Sequence, residues 1–337
     1  MISPQIVGSV LRSPPKSLPG ATSMIQRRPC AQPAAGPPST TGVLMQIEQF
    51  GALKLQLGEC PLWDAQQQKL WLMDCRRGHL YALSSHGDTL EQHLLPAPTG
   101  SFALNHDGRI VVAMKEAIGL YNPQTRALSI VAELDTHLAN LRINDGTALP
   151  DGRFLAGSMH INLQPGEAPE GGIYVVGHQG QLRKIGPALK TANGPLIHPR
   201  TGRLFICDSA EQTIFSFDIR SGTAQDRQVF ASTQALNSAP DGCCFDSAGG
   251  LWTALVRTGE LARFDADGSL SLKIAVPVAH PSALCFGGPQ LDQLFVTSIA
   301  DSGRLRADGA LDGGVLKITG HGYSGLPEPR CTITPAL

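Results

Sequence analysis

Four short stretches carry side chains whose types and placement could do chemistry: Glu59-Cys60-Pro61, Arg142-Ile143-Asn144-Asp145-Gly146, Ala192-Asn193-Gly194 and Pro240-Asp241-Gly242. Each lies just before a short apolar run, and the same plan recurs along the chain. Aligning the recurrences puts Glu59, Ser101, Asp145, Asn193, Asp241 and Ser282 at equivalent places. A repeat that carries oxygen-bearing side chains at one place in several copies can gather them around one axis. Glu59, Asp241 and the neutral Asn193 would then supply two negative charges and a carbonyl oxygen, a donor set for a hard divalent cation. So few protein ligands leave positions open for water or substrate, which favours catalysis over a purely structural ion. Calcium affinity would be weak, on the order of 10⁻⁴ to 10⁻³ M.

Turn chemistry is the competing explanation, because Asn-Gly and Asp-Gly are common hairpin signals. The chain contains its own control. Asp107-Gly108, Asp151-Gly152 and Asp267-Gly268 fall between the runs of one repeat and need only the turn explanation. Asp145-Gly146, Asn193-Gly194 and Asp241-Gly242 fall at the openings instead.

The elements that must position these residues are strands. Runs such as Leu70-Trp71-Leu72-Met73, Arg203-Leu204-Phe205-Ile206-Cys207 and Gln293-Leu294-Phe295-Val296-Thr297 are short, apolar and bounded by Gly, Asp, Asn or Pro. A second pair of runs usually follows. Four strands per unit, at a spacing of roughly 40–50 residues, is the period of a propeller blade. The prediction is an all-β fold: a six-bladed β-propeller of four-stranded antiparallel blades, closed by an N-terminal strand within Ile47–Leu57 and occupying residues 46–337. A β-sandwich or two small β domains is the alternative, opposed by the lack of any linker after residue 46.

Residues 1–45 are rich in Pro, Ser and Arg, and no acidic residue precedes Glu48. They are predicted to be a disordered extension. A transit peptide is the other reading of an acid-poor leader, but its prolines oppose an amphipathic helix, and Met24 and Met45 offer later starts. The net charge of −1 and the lack of a basic stripe argue against nucleic acid. No run is long and apolar enough for a membrane helix. The eight cysteines show no Cys-x-x-Cys pairing, and five fall in or beside apolar strand runs, so reduced thiols and a cytoplasmic location are expected. The ten histidines are scattered, which opposes a zinc site built on Cys or His. The tryptophans Trp63, Trp71 and Trp252 are expected in the core.

At the opening residues the sequence resembles the gluconolactonase/regucalcin (senescence marker protein) family of six-bladed propellers. Leu57-Gly58-Glu59-Cys60-Pro61-Leu62-Trp63-Asp64, Arg142-Ile143-Asn144-Asp145-Gly146, Pro240-Asp241-Gly242 and Cys285-Phe286-Gly287-Gly288-Pro289 resemble its motifs in order. Gly313-Gly314-Val315-Leu316-Lys317 is similar to its closing strand, and the likeness runs from about residue 50 to about 327. The resemblance implies one divalent ion held by Glu59, Asn193 and Asp241, with Ca²⁺, Mg²⁺, Mn²⁺ or Zn²⁺ left open. It implies substrate contacts from Arg142 and Asn144, and Asn162 stands where some relatives place an acidic substrate contact. The implied reaction is hydrolysis of a sugar lactone to its aldonic acid; since the attacking water needs a base nearby, Asp241 is the candidate for both metal ligand and catalytic base. Cys60 departs from the usual Gly of the first motif. The expected partner is a small sugar lactone, with the protein a monomer or weak homodimer. The alternatives are a metal-dependent esterase or phosphotriesterase, or a calcium-binding propeller without lactonase turnover.

Overall fold

The computed structural model describes residues 44–134 and 140–335. The segment expected to be a disordered extension, residues 1–45, lies outside the described residues apart from Leu44 and Met45.

Six four-stranded antiparallel sheets follow one another along the chain as the blades of a propeller. Five are built from consecutive strands, spanning Gly58–Leu94, Thr99–Glu133, Leu141–Gly186, Ala192–Ser232 and Pro240–Ala275. The sixth takes three strands from Pro281–Thr319 and a fourth, its outermost, from Gln46–Gln49 near the start of the described chain. Glu48 faces Lys317 across that seam and their side chains form an ion pair. The ring is thereby closed by an N-terminal strand, so no long sheet edge is left open. Among the described residues the only helical element is a single 3₁₀ turn, Gln234–Leu236.

Where a strand sits in its blade explains its composition. The second strands lie between neighbouring blades and are buried on both faces, so they read as continuous apolar runs rather than alternating ones. Lys69–Asp74, Ile110–Met114, Leu204–Asp208 and Leu251–Leu255 are buried over nearly every residue. The outermost strands Thr89–Leu94 and Leu270–Ala275 are largely exposed. The core is therefore six wedges between consecutive blades rather than one central mass. Trp63 stacks on Phe295 in the wedge joining the first and sixth blades, and Trp71 and Trp252 fill two others. Each fully buried large apolar side chain there contributes about 2 kcal/mol.

The innermost strands line the central channel. Every one of them carries a one-residue register shift against its neighbour, between Glu59 and Leu62, Thr99 and Ser101, Ile143 and Gly146, Asn193 and Leu196, Pro240 and Cys243, and Pro281 and Ala283. A bulge re-aims side chains and bends the strand. Here the bulges coincide with the sequence positions singled out for chemistry.

The far mouth of the channel is crossed by a strap. Gly325 bridges Asp246 at the end of the fifth blade's inner strand, and Cys331 bridges Asn105 at the end of the second blade's. Those blades stand opposite one another, so Leu326-Pro327-Glu328-Pro329 spans the opening. Asn105 pins the far end by exchanging two 2.9 Å hydrogen bonds with the Ile333 backbone, and Arg330 pairs with the buried Asp64.

Candidate functional site

The inner strands begin at the other mouth, and a cavity of about 400 Å³ opens there. Glu59, Arg142, Asn144, Asn193 and Asp241 all line it, drawn from four blades. Asn162 does not. It stands exposed on the turn after Phe154–His160, beside Ile161, which does line the cavity.

Local structure sets each of these residues. Asp74, the last residue of the first blade's second strand, accepts hydrogen bonds from the backbone N–H groups of Gln56 (2.8 Å) and Leu57 (3.3 Å). Asp208 does the same in the fourth blade, for Lys190 (2.8 Å) and Thr191 (3.2 Å). These buried carboxylates clamp the segments that deliver Glu59 and Asn193 to the bulge. Cys60 follows Glu59 with φ +50°, and Gly194 follows Asn193 with φ +52°. The two residues occupy the same left-handed conformation at equivalent bulges. Glycine adopts it freely, whereas a Cβ-bearing residue is strained there. The Cys60 thiol points to the Gly100 carbonyl and to Asp145, each 3.5 Å away. Gly100 itself has no room for a side chain, because a Cβ would meet the Asn144 carbonyl oxygen at 2.0 Å.

The amide of Asn193 is oriented by a chain of donors. Asn144 Nδ2 donates to Asn193 Oδ1 and to the Ala192 carbonyl (2.8 Å). Asn193 Nδ2 donates to Ser209 Oγ (2.8 Å), and Ser209 in turn donates to the Pro240 carbonyl (2.6 Å). Ser209 must therefore accept from Asn193, which fixes which end of the amide is oxygen. Both N–H groups of Asn144 are occupied, so only its Oδ1 remains to meet a ligand.

The electrostatics follow from crowding. Asp145 lines the cavity too, so three carboxylates share it. Burial pushes Glu59 well above the usual carboxylate range, and Asp241, Cys75 and Asp145 add to the effect, with Arg142 opposing it. Asp241 is pushed up to about 8, first by burial and then by Asp145. Burial raises Asp145 as well, against the backbone N–H groups of Gly194 and Gly146, each donating to it at 2.7 Å. Arg142 makes no ion pair with Asp145; it donates to the Ile143 carbonyl (3.1 Å) and senses Glu59 and Asp241. A set of mutually repelling oxygen donors, only partly offset by Arg142, fits a divalent ion, which would remove the conflict that raises their affinity for protons. Among the described residues no three His, Cys, Asp or Glu side chains are grouped so as to hold a metal ion by themselves. The residues that could hold one here are Glu59, Asp241 and the Asn193 amide oxygen, which line the same cavity.

Asp145 was visible as a ring position in the repeat alignment, but its role as the carboxylate beneath Glu59 and Asp241 needs the bulges. Arg257, Arg304 and Ser209 also line the cavity and lie outside the repeated motifs, in loops or past strand ends.

Fold and site together define a six-bladed propeller with an oxygen-rich, part-open pocket in one mouth. Residues 57–300 match the SMP-30/Gluconolactonase/LRE-like region, and the chain belongs to that family. It is 30% identical to 6-deoxy-6-sulfogluconolactonase of Pseudomonas putida over 279 residues, covering 81% of this chain and 94% of that protein. Regucalcin of Gallus gallus is 28% identical over 290 residues, covering 84% and 97%. Among solved structures, the calcium-binding protein regucalcin of Agrobacterium tumefaciens superposes with a TM-score of 0.73 at 25% identity, covering 82% of this chain and 94% of that one.

Proposed function

We propose that this protein hydrolyses a sugar lactone to its aldonic acid with a divalent ion held by Glu59, Asn193 and Asp241. The observation that carries this reading is the cavity itself: three carboxylates, the oriented Asn193 amide and Arg142 converge in one mouth. A relative of 30% identity named as a lactonase supports it. When bound, the ion would polarise the lactone carbonyl and offset the negative charge that develops on its oxygen.

The chain's own groups supply the rest. Asp241 takes a proton from the attacking water as its oxygen bonds to the carbonyl carbon. The ring C–O bond then breaks, and the same proton passes to the departing ring oxygen, leaving the aldonic acid. Arg142 donates to ring or hydroxyl oxygens. Asn144, with its donors occupied, accepts from a substrate hydroxyl through Oδ1. The walls contributed by Leu57, Met159, Val256, Ile299 and Leu305 limit water around these groups. Asn162, on the exposed loop at the rim, is proposed to touch the distal part of the sugar.

No helix of the described residues is long and apolar enough to cross a membrane. The described cysteines are unbridged, and the Cys207 and Cys243 sulfurs lie 3.3 Å apart without a bond. The unbridged thiols support the proposed reducing, cytoplasmic setting.

The test is proton release from D-glucono-, D-galactono-, L-arabino- and D-xylonolactone by chelator-stripped protein, with Ca²⁺, Mg²⁺, Mn²⁺ or Zn²⁺ restored in turn. Metal-dependent acceleration over the spontaneous rate is expected. No acceleration with any ion would overturn the reading and favour an ion-binding propeller.

A further inference from the structure

The mouth that holds the carboxylates is not acidic throughout. Its floor carries Glu59, Asp145 and Asp241, but Arg257 and Arg304 line it as well, together with Arg142. Three carboxylates and three guanidiniums balance, so a bound divalent ion leaves the cavity with two positive charges in excess. A neutral substrate would leave that excess uncompensated in a partly enclosed space.

The two outer arginines come from adjacent blades. Arg257 follows the fifth blade's second strand, Leu251–Leu255, and Arg304 lies in the loop after the sixth blade's second strand, Gln293–Ser298. The guanidinium of Arg257 makes no hydrogen bond or ion pair among the described residues; only its backbone N–H is used, donating to Ser238 Oγ at 2.9 Å. Arg304 reaches across the mouth to donate to the Ile161 carbonyl on the third-blade side. That single bond leaves other N–H groups of its fork free, and it makes no ion pair among the described residues. Some exposed arginines find carboxylates, Arg76 and Arg306 with Asp301, Arg203 with Asp226 and Arg220 with Asp218, and others such as Arg183 and Arg200 donate to backbone carbonyls, but those lie away from this cavity. Two unpaired guanidiniums facing one cavity therefore form a subsite for an anion, which Arg forks bind in bidentate fashion.

We infer that the lactone taken by this site carries a phosphate or sulfonate group at the end remote from its ring carbonyl, and that Arg257 and Arg304 bind that group. The inference rests on the lactonase reading for its substrate class, but the anion subsite stands on the arginines alone. With the carbonyl directed to the acidic floor, the anionic tail meets the rim of the fifth and sixth blades. Such a tail would also orient the ring before reaction.

The experiment uses the full chain loaded with the divalent ion that supports turnover, or with Ca²⁺ if none does. kcat/KM is compared for D-glucono-1,5-lactone, its 6-phospho derivative and its 6-deoxy-6-sulfo derivative. Calorimetry in parallel compares D-gluconate with 6-phospho-D-gluconate and 6-deoxy-6-sulfo-D-gluconate. The expected result is at least ~10-fold preference for a charged lactone and tighter binding of its aldonate, the scale of a charge-assisted hydrogen-bonded pair. That preference should fall about 10-fold in the Arg257→Gln/Arg304→Gln variant and shrink as salt is raised. The phosphate and sulfonate arms identify which anion is read. Turnover of the neutral lactone with no anionic preference, or equal losses for all lactones in the variant, would overturn the inference and leave the lactonase reading intact. Charge-selective binding that depends on both arginines, without turnover of any lactone, would uphold the anion subsite and overturn the lactonase reading.

Discussion

Asn144 donates through Nδ2 to Oδ1 of Asn193, so the third blade holds the amide that the fourth blade presents to the cavity. Ser209 completes the restraint from the other side by accepting from Asn193 Nδ2 at 2.8 Å. With both contacts in place Asn193 offers oxygen, not nitrogen, to an ion.

Ser209→Ala removes the acceptor and lets the Asn193 amide rotate. Loss of such an outer-shell partner should weaken divalent-ion binding about 10- to 100-fold. Titration calorimetry with Ca²⁺ measures this, and circular dichroism should show the fold retained. Undiminished affinity would mean that Asn144 alone orients the amide.

The pH dependence of the metal-free protein follows from the raised carboxylates. Glu59 and Asp241 hold protons more tightly folded than unfolded, Asp241 up to about 8. Between about pH 4 and pH 8 the folded state binds more protons, so stability falls as pH rises through that window. A divalent ion reverses the penalty, so the Tm increase it gives should be larger at pH 8 than at pH 5.5. Thermal melts with chelator or with metal at both pH values test this. An equal increase at the two pH values would contradict it.

Much of the fold was legible because its physics is periodic. The short apolar run Leu70-Trp71-Leu72-Met73 reads as a strand, and it is one, buried on both faces. The turn pairs Asp107-Gly108 and Asp151-Gly152 could be set aside by position, and they sit in the turns between strands of one blade. The bulges were not legible. One extra residue per inner strand leaves no mark on hydropathy, yet it decides that Glu59, Asn193 and Asp241 face the same cavity. The strap was missed for a related reason: Gly325 and Cys331 are held by isolated bridges, which need no apolar alternation. Arg257 and Arg304 lie in the loops between the second and third strands of their blades, away from the strand openings on which the repeat alignment was centred.

Strain at the first bulge is open to measurement. Cys60 adopts the conformation that Gly194 adopts at the equivalent place. Comparing Cys60→Gly with Cys60→Ala cancels the loss of the thiol, and the glycine variant should be the more stable by about 1 kcal/mol. Urea unfolding at one pH gives the difference. Equal stability would mean that the surrounding bulge carries no strain.

Glu328 on the strap faces the second cavity, about 370 Å³, at the far end of the channel. Glu328 is exposed to solvent, but the protein crowded around its carboxyl pushes it up to about 7. A raised carboxylate costs stability as pH rises from its unfolded value, near 4.5, through 7. Glu328→Gln should therefore raise Tm at pH 8 and leave it nearly unchanged at pH 5. A uniform shift at both values would point to packing instead of charge.

The most direct measurement is steady-state turnover of a sugar lactone by Asp241→Asn, saturated with the divalent ion and checked for ion content. Asn keeps an oxygen for the ion but cannot take a proton from water. If Asp241 is the base, kcat should fall by at least ~10²-fold while the ion remains bound. Unaltered turnover in the metal-saturated variant would remove Asp241 from that role and contradict the proposed mechanism.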